Sequence, residues 1–140
     1  MTAKLTLFVV CCTAFGQMDT STLRAKYGEP IARETFQVRP NIEAVVNYGT
    51  GHQVCKIDLP PGSYVIPSHG ASNHDVDEVI DELVPSAMRG KGGSHLMAGS
   101  SRISMSISEY ENITISEPQD PDHPGRRTAV WITFNRPDCH

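Results

Sequence analysis

Ile42-Glu43-Ala44-Val45-Val46-Asn47-Tyr48, Gly49-Thr50-Gly51-His52-Gln53, Val54-Cys55-Lys56-Ile57-Asp58-Leu59 is the stretch that decides the fold. Ile42, Ala44, Val46 and Tyr48 alternate with their neighbours, which is the period of a strand with one apolar face. The Gly-rich turn at 49–52 breaks the run. Cys55, Ile57 and Leu59 then repeat the alternation, so they point inward from a second strand. Upstream, Phe36 and Val38 alternate within Glu34 to Arg39, and Pro40-Asn41 makes a corner. The three runs read as an antiparallel meander ended by Pro60-Pro61-Gly62.

A short helix precedes the meander. Asp19, Thr20 or Ser21 would cap it, and Leu23 and Tyr27 share one face. Gly28 and Pro30 stop it. After a loop over 60–73 comes a stronger helix, in which Val76, Val79, Ile80, Leu83 and Val84 fall on one stripe. Ser72 or Asn73 would cap it, Asp75, Asp77 and Glu78 suit its positive end, and Pro85 ends it. Residues 86–101 are rich in Gly and Ser and read as a mobile loop with room for one helical turn. Ile103, Met105 and Ile107 then alternate with serines at 104, 106 and 108. Ile113 and Ile115 resume the pattern after a bulge or bend at 109–111. Residues 119–125 form a Pro- and Asp-rich hairpin loop, and Val130, Ile132 and Phe134 make the last strand, with Trp131 and Thr133 on its other face.

This order, α-β-β-β-α-β-β(-β), predicts an α+β domain. Its mainly antiparallel sheet has five to six strands, with two helices packed on one face. The serines of the 103–108 run predict that the other face is wet.

The N-terminus carries the compartment. Lys4, the apolar run Leu5 to Thr13, and Ala14-Phe15-Gly16 read as an export signal over 1–16, cleaved before Gln17. The run is far shorter than the roughly 20 residues that span a bilayer. A lipoprotein signal fits poorly, because Val10 precedes Cys11. A buried element of a cytosolic protein fits poorly too, because no charge falls between Lys4 and Asp19. The mature domain, 17–140, would have 124 residues, 11 basic and 16 acidic, a formal net charge of −5 once Lys4 is removed from the 12 Lys and Arg. One domain of that size buries enough surface to fold alone. It is expected to be monomeric or weakly associating. No basic stripe exists, which argues against nucleic acid and anionic membrane as partners. Ten prolines and eleven glycines mark many turns, and the few aromatics predict an aliphatic core.

The mature chain keeps Cys55 and Cys139. In an oxidising milieu they are expected to form a bridge tying the C-terminal tail to the sheet. The alternative is two unlinked thiols. The closed loop of about 85 residues would be worth up to about 4–5 kcal/mol in the chain-entropy picture. Neither cysteine has a CxxC partner, so a metal site is a poor fit.

Residues 23–59, with Leu23, Tyr27-Gly28, Pro30, the strand ending Tyr48-Gly49 and the strand Val54 to Leu59, resemble one unit of two groups of small envelope proteins. These are proteins shaped like β-lactamase inhibitor protein, and the outer-membrane assembly lipoproteins. The whole mature chain, with Asp81-Glu82-Leu83-Val84-Pro85, Arg89-Gly90-Lys91 and Tyr110-Glu111-Asn112-Ile113-Thr114-Ile115, is similar to small exported bacterial proteins of uncharacterised function. The first resemblance implies a non-enzymatic envelope role. The second brings no known activity.

Candidate chemistry is sparse. Asp75, Asp77, Glu78, Asp81 and Glu82 crowd one helix, and Asp77/Asp81 and Glu78/Glu82 are like-charge i,i+4 pairs, each costing about 0.2–0.5 kcal/mol. A cation or basic partner would relieve them, or the acids simply form a solvated face. An EF-hand is excluded, since Ile80 stands where Gly is required. His69, His74, Asp75 and Asp77 are the residues from which a small hydrolase or metal-dependent enzyme would be built, although no HExxH or paired i,i+4 histidines occur; His95 and His123 sit in loops. Gly70-Ala71-Ser72-Asn73-His74 starts like G-x-S-x-G but lacks the second Gly. Cys55 in a strand interior is a poor nucleophile. Arg89-Gly90-Lys91-Gly92-Gly93-Ser94 lacks the P-loop spacing and reads as a flexible basic loop. Asn112-Ile113-Thr114 fits the glycosylation pattern within a strand. No cofactor or metal is therefore assigned. The expected function is a binding or interaction module of the cell envelope or medium, with the acidic helix, residues 86–101 and the wet sheet face as surfaces.

Mass spectrometry of the native protein should find an N-terminus at Gln17 and a mass lighter by the two thiol hydrogens. Retention of Met1, or an added acyl chain, would contradict the leader reading.

Overall fold

The computed structural model describes residues 20–28, 34–49, 52–60, 73–100, 103–123 and 125–139. The proposed leader, His69 and Ser72 lie outside them. Helix α1 (Thr20–Tyr27) leads to strands β1 (Thr35–Arg39), β2 (Ile42–Tyr48) and β3 (Val54–Leu59). Helices α2 (Asn73–Leu83) and α3 (Ser86–Arg89) follow. Strands β4 (Gly92–Ser100), β5 (Ile103–Tyr110), β6 (Ile113–Gln119) and β7 (Val130–Phe134) then precede the 3-10 turn Pro137–Cys139. The α+β class holds, as a mainly antiparallel sheet with few, short helices.

All seven strands join one sheet in the order β1-β2-β3-β7-β6-β5-β4. It is two antiparallel meanders, β1-β2-β3 and β4-β5-β6-β7, welded where β3 pairs with β7. Pro40 and Asn41 link β1 to β2, and Asn41 has φ 66°. Proline followed by a residue of positive φ is what a type II turn requires. At β2–β3 the partners step from Asn47↔Lys56 to Tyr48↔Val54, so Cys55 is the extra residue of a bulge. This explains why Val54 and Cys55 are consecutive yet both buried. Cys55 is bonded to Cys139, their Cα atoms 5.3 Å apart, so the tail after β7 is fastened to β3.

One face carries the core. The row Val46, Ile57, Ile132 and Ile115 crosses β2, β3, β7 and β6 in register. Leu23 of α1 and the stripe Val76, Val79, Ile80, Leu83 and Val84 pack into the same cluster. Both helices therefore lie on one side of the sheet. Gly28, with φ 82°, accepts the reversal at the end of α1, and its N–H donates to the Arg24 carbonyl at 2.9 Å. Pro85 ends α2 as expected. Its carbonyl also accepts from the Met88 N–H at 2.8 Å, which starts α3.

Two expectations are corrected. The sheet has seven strands, not five to six, because residues 86–100, read as part of a mobile loop, form α3 and the nine-residue strand β4. The serines also lie on the opposite face from the one predicted. Glu109 pairs with Thr114, so the chain reverses through Glu111 and Asn112 instead of bulging at 109–111 within one strand. That reversal places Ser108 opposite Ile115 on the helix side and sends Met105 and Ile107 to the other face. Side chains alternate with period two, so a connection of one more or one fewer residue would have exchanged the faces. Ser106 is consequently buried, at 5% exposure.

Ile132→Ala, in the fully buried row, should destabilise by about 2–5 kcal/mol, whereas Ile107→Ala, an equally apolar change on the other face, should cost less than about 1 kcal/mol. Urea unfolding of the two variants checks the assignment of faces.

Candidate interaction surface

The face away from the helices is amphipathic. One row runs across six strands: Val45, Asp58, Trp131, Ser116, Ile107 and Leu96. A second places Pro118, Met105 and Ala98 side by side. Trp131 is 38% exposed and Leu96 48%, and Met105 and Ile107 are partly exposed. On the β3 side of Trp131 the surface turns polar. The Lys56 ammonium lies 5.6 Å from the centre of the indole and 2.7 Å from the Asp58 carboxylate, which also accepts from Asn47 Nδ2 at 3.2 Å. A half-exposed indole with a cation over its face and an apolar band beside it can hold an apolar or aromatic group by contact and orient it by charge.

Strand β4 ends the sheet, and all nine of its residues are exposed. Its root is fixed. Gly93 passes so close to Glu109 that a Cβ there would stand 1.9 Å from the Glu109 carbonyl oxygen, so no other residue fits that backbone path. Ser94 Oγ donates to Glu109 at 2.8 Å. Helix α3 is tied to the β5–β6 reversal: Asn112 Nδ2 donates to the Met88 carbonyl at 3.0 Å, and the Arg89 guanidinium stacks 5.6 Å from the Tyr110 ring. Arg89 also pairs with Asp81 and donates to the Val84 carbonyl at 2.7 Å. The Arg89–Ser94 segment is thus a structured junction, not a flexible basic loop.

The acidic helix is largely neutralised by its own chain. Asp77 meets Arg127 at 2.6 Å, Asp81 meets Arg89, Glu82 meets Arg39 and Lys26, and Glu78 meets His74 at 3.3 Å. The repulsion read from the sequence is relieved within the fold. The Arg39 hydrogen bond, more than any other contact, holds the Glu82 carboxyl below the usual carboxylate range. Burial, reinforced by Glu82, pushes the Tyr27 phenol up to about 12.

The candidate catalytic set does not assemble among the described residues. His74 is 80% exposed and leans on Glu78, Asp77 faces Arg127, and His69 lies outside them. Cys55, being bridged, offers no thiol. His95 contacts Ser108 Oγ at 3.2 Å and His123 contacts Asp120 at 3.1 Å. No group of three or more His, Cys, Asp or Glu among the described residues is arranged to hold a metal ion. No helix among them is long and apolar enough to cross a membrane.

One half-buried ion pair, Arg127 with Glu117, was not singled out from the sequence. Arg127 bridges Asp77 of α2 and Glu117 of β6, the latter at 2.8 Å. Glu117 lies on the helix side, opposite Ser106. Burial raises its carboxyl pKa, Arg127 opposing the shift. A carboxyl whose folded pKa is raised holds its proton more tightly folded than unfolded, so its ionised form costs stability at higher pH and that cost fades as pH falls through the raised pKa. Removing Arg127 enlarges the cost. Arg127→Ala should therefore destabilise by about 1–3 kcal/mol at pH 7, and by less near pH 4, where Glu117 is protonated. Thermal melts at the two pH values test the sign.

No family model, no curated protein and no solved structure matches the chain.

Proposed function

We propose that the chain is a non-enzymatic interaction module of the cell envelope or extracellular medium, and that it presents the helix-free face of its sheet to a protein or small-molecule partner. The carrying observation is that Trp131 and Leu96 are exposed, and Ile107 partly so, on the face that no helix among the described residues covers. Exposed apolar patches rimmed by polar groups mark contact sites, and tryptophan is prominent among residues that anchor such contacts. Lys56 and Asp58 supply the polar rim. The Cys55–Cys139 bond suits an oxidising compartment, in keeping with cleavage of residues 1–16 on export. The reading agrees with what the resemblance to small exported envelope proteins implies.

Trp131 is the sole tryptophan, so its fluorescence reports directly on this face. Titration with envelope or medium fractions from the producing cell should shift the emission to the blue and protect it from acrylamide. The Ile107→Glu variant, still folded by circular dichroism, should lose the response, and Asp81→Asn on the helix side should keep it. An unchanged Trp131 signal across fractions that demonstrably bind the protein would refute the assignment of this face.

A further inference from the structure

We infer that β4 is a self-association edge, and that two copies of the chain join their sheets by antiparallel β4–β4 pairing about a two-fold axis through Leu96. The strand reads Gly92-Gly93-Ser94-His95-Leu96-Met97-Ala98-Gly99-Ser100. Its residue sizes are nearly palindromic about Leu96: three small residues, three large, three small. Antiparallel pairing centred there sets Leu96 against Leu96 of the second copy, His95 against Met97, Ser94 against Ala98, and Gly93 against Gly99. Every pair matches in size class, and Leu96 with its own copy and His95 with Met97, on the regular run past the bulge between Gly92 and His95, share a face because the offset is even. A slip of one or two residues would set the bulky triplet partly against glycine, alanine or serine. The size symmetry therefore fixes a register that a Gly-rich strand otherwise leaves loose.

Over residues 95–100 the edge also lacks the devices that keep strands apart; its own bulge lies at its root, between Gly92 and His95. Proteins blunt exposed edges with Lys, Pro, short length or a bulge. The far edge, β1, is five residues long, carries Arg39, and is bulged between Gln37 and Arg39. Strand β4 is nine residues long, with no proline and no Lys, Arg, Asp or Glu. Its pairing brings no like charges together, although the chain carries a formal net charge of −4. Leu96 and Met97, at 48% and 61% exposure, stand on opposite faces of this edge beyond the core cluster. In the dimer each gains an apolar or aromatic neighbour, and the Ile107–Leu96 row continues into the second sheet. The interface is a single strand pair, at the small end of specific interfaces, so the dimer dissociates at micromolar concentrations and two binding faces combine only where the protein is locally dense.

Sedimentation equilibrium of the purified full chain, from low micromolar to near-millimolar concentration, should show a monomer–dimer equilibrium. Leu96→Lys places two ammonium groups on the axis and should raise the dissociation constant at least about tenfold. Trp131→Ala, away from the edge, should leave it within about twofold. On mild oxidation Leu96→Cys should form a covalent dimer readily and Ser94→Cys poorly, since only residue 96 meets itself. A monomer at every concentration overturns the inference. So does a dimer indifferent to Leu96→Lys but broken by Trp131→Ala, or equal crosslinking at 94 and 96. Trp131 fluorescence separates this outcome from the partner-binding reading: a monomer whose Trp131 still responds to a fraction overturns the dimer alone.

Discussion

The weld between β3 and β7 is the contact on which the rest of the molecule depends. Each meander is too small to bury an apolar face by itself, and isolated hairpins are at best marginal in water. Pairing Ile57 with Ile132 turns two meanders into one surface broad enough to receive α2. The α2 stripe spans residues 76–84, and its residues pack into the one cluster that draws on both meanders. The sheet needs the helix to keep water from that row, and the helix needs the row as its extended apolar neighbour among the described residues. The bridge from Cys55 to Cys139 sits at this weld.

The cover is unequal, and that inequality leaves open the face proposed as the interaction surface. The core cluster takes residues from β1, β2, β3, β6 and β7, but only Tyr110 from β5 and none from β4. Three short helices cannot shade seven strands. Strand β4 projects past them with both faces open, which is why an apolar residue such as Met97 is exposed even on the helix side. The face without helices, from Trp131 outward, is then as available to a partner as the edge is to another strand.

Much of this was legible in the residues. The period-two runs at 36–59 and 130–134 and the period-3.6 stripe at 76–84 placed five of the strands or helices and their inner faces, because each apolar series had one consistent partner. Residues 86–101 were not legible, since glycine and serine carry neither apolar alternation nor β propensity; β4 is a strand only because β5 offers it a ladder. The faces of β5 were read inversely. Isoleucine and methionine alternate there as strongly as in the core strands, and nothing local says that a tight reversal at Glu111-Asn112 sets Ile113 and Ile115, not Ile107, against the helices. The acidic helix left a cation or a basic partner open beside a solvated face because two of its partners, Arg39 and Arg127, are distant in sequence. They meet it only after the sheet closes.

The fastening at Cys139 alters how the domain answers force. A pull on its C-terminus would ordinarily peel β7 from its neighbours one hydrogen bond at a time, like a zipper. The covalent link instead diverts the load past β7 into β3, a strand paired on both sides, which must be sheared along its whole length at once. A chain anchored by its tail in a crowded wall would keep its sheet intact under tension that strips an unbridged strand.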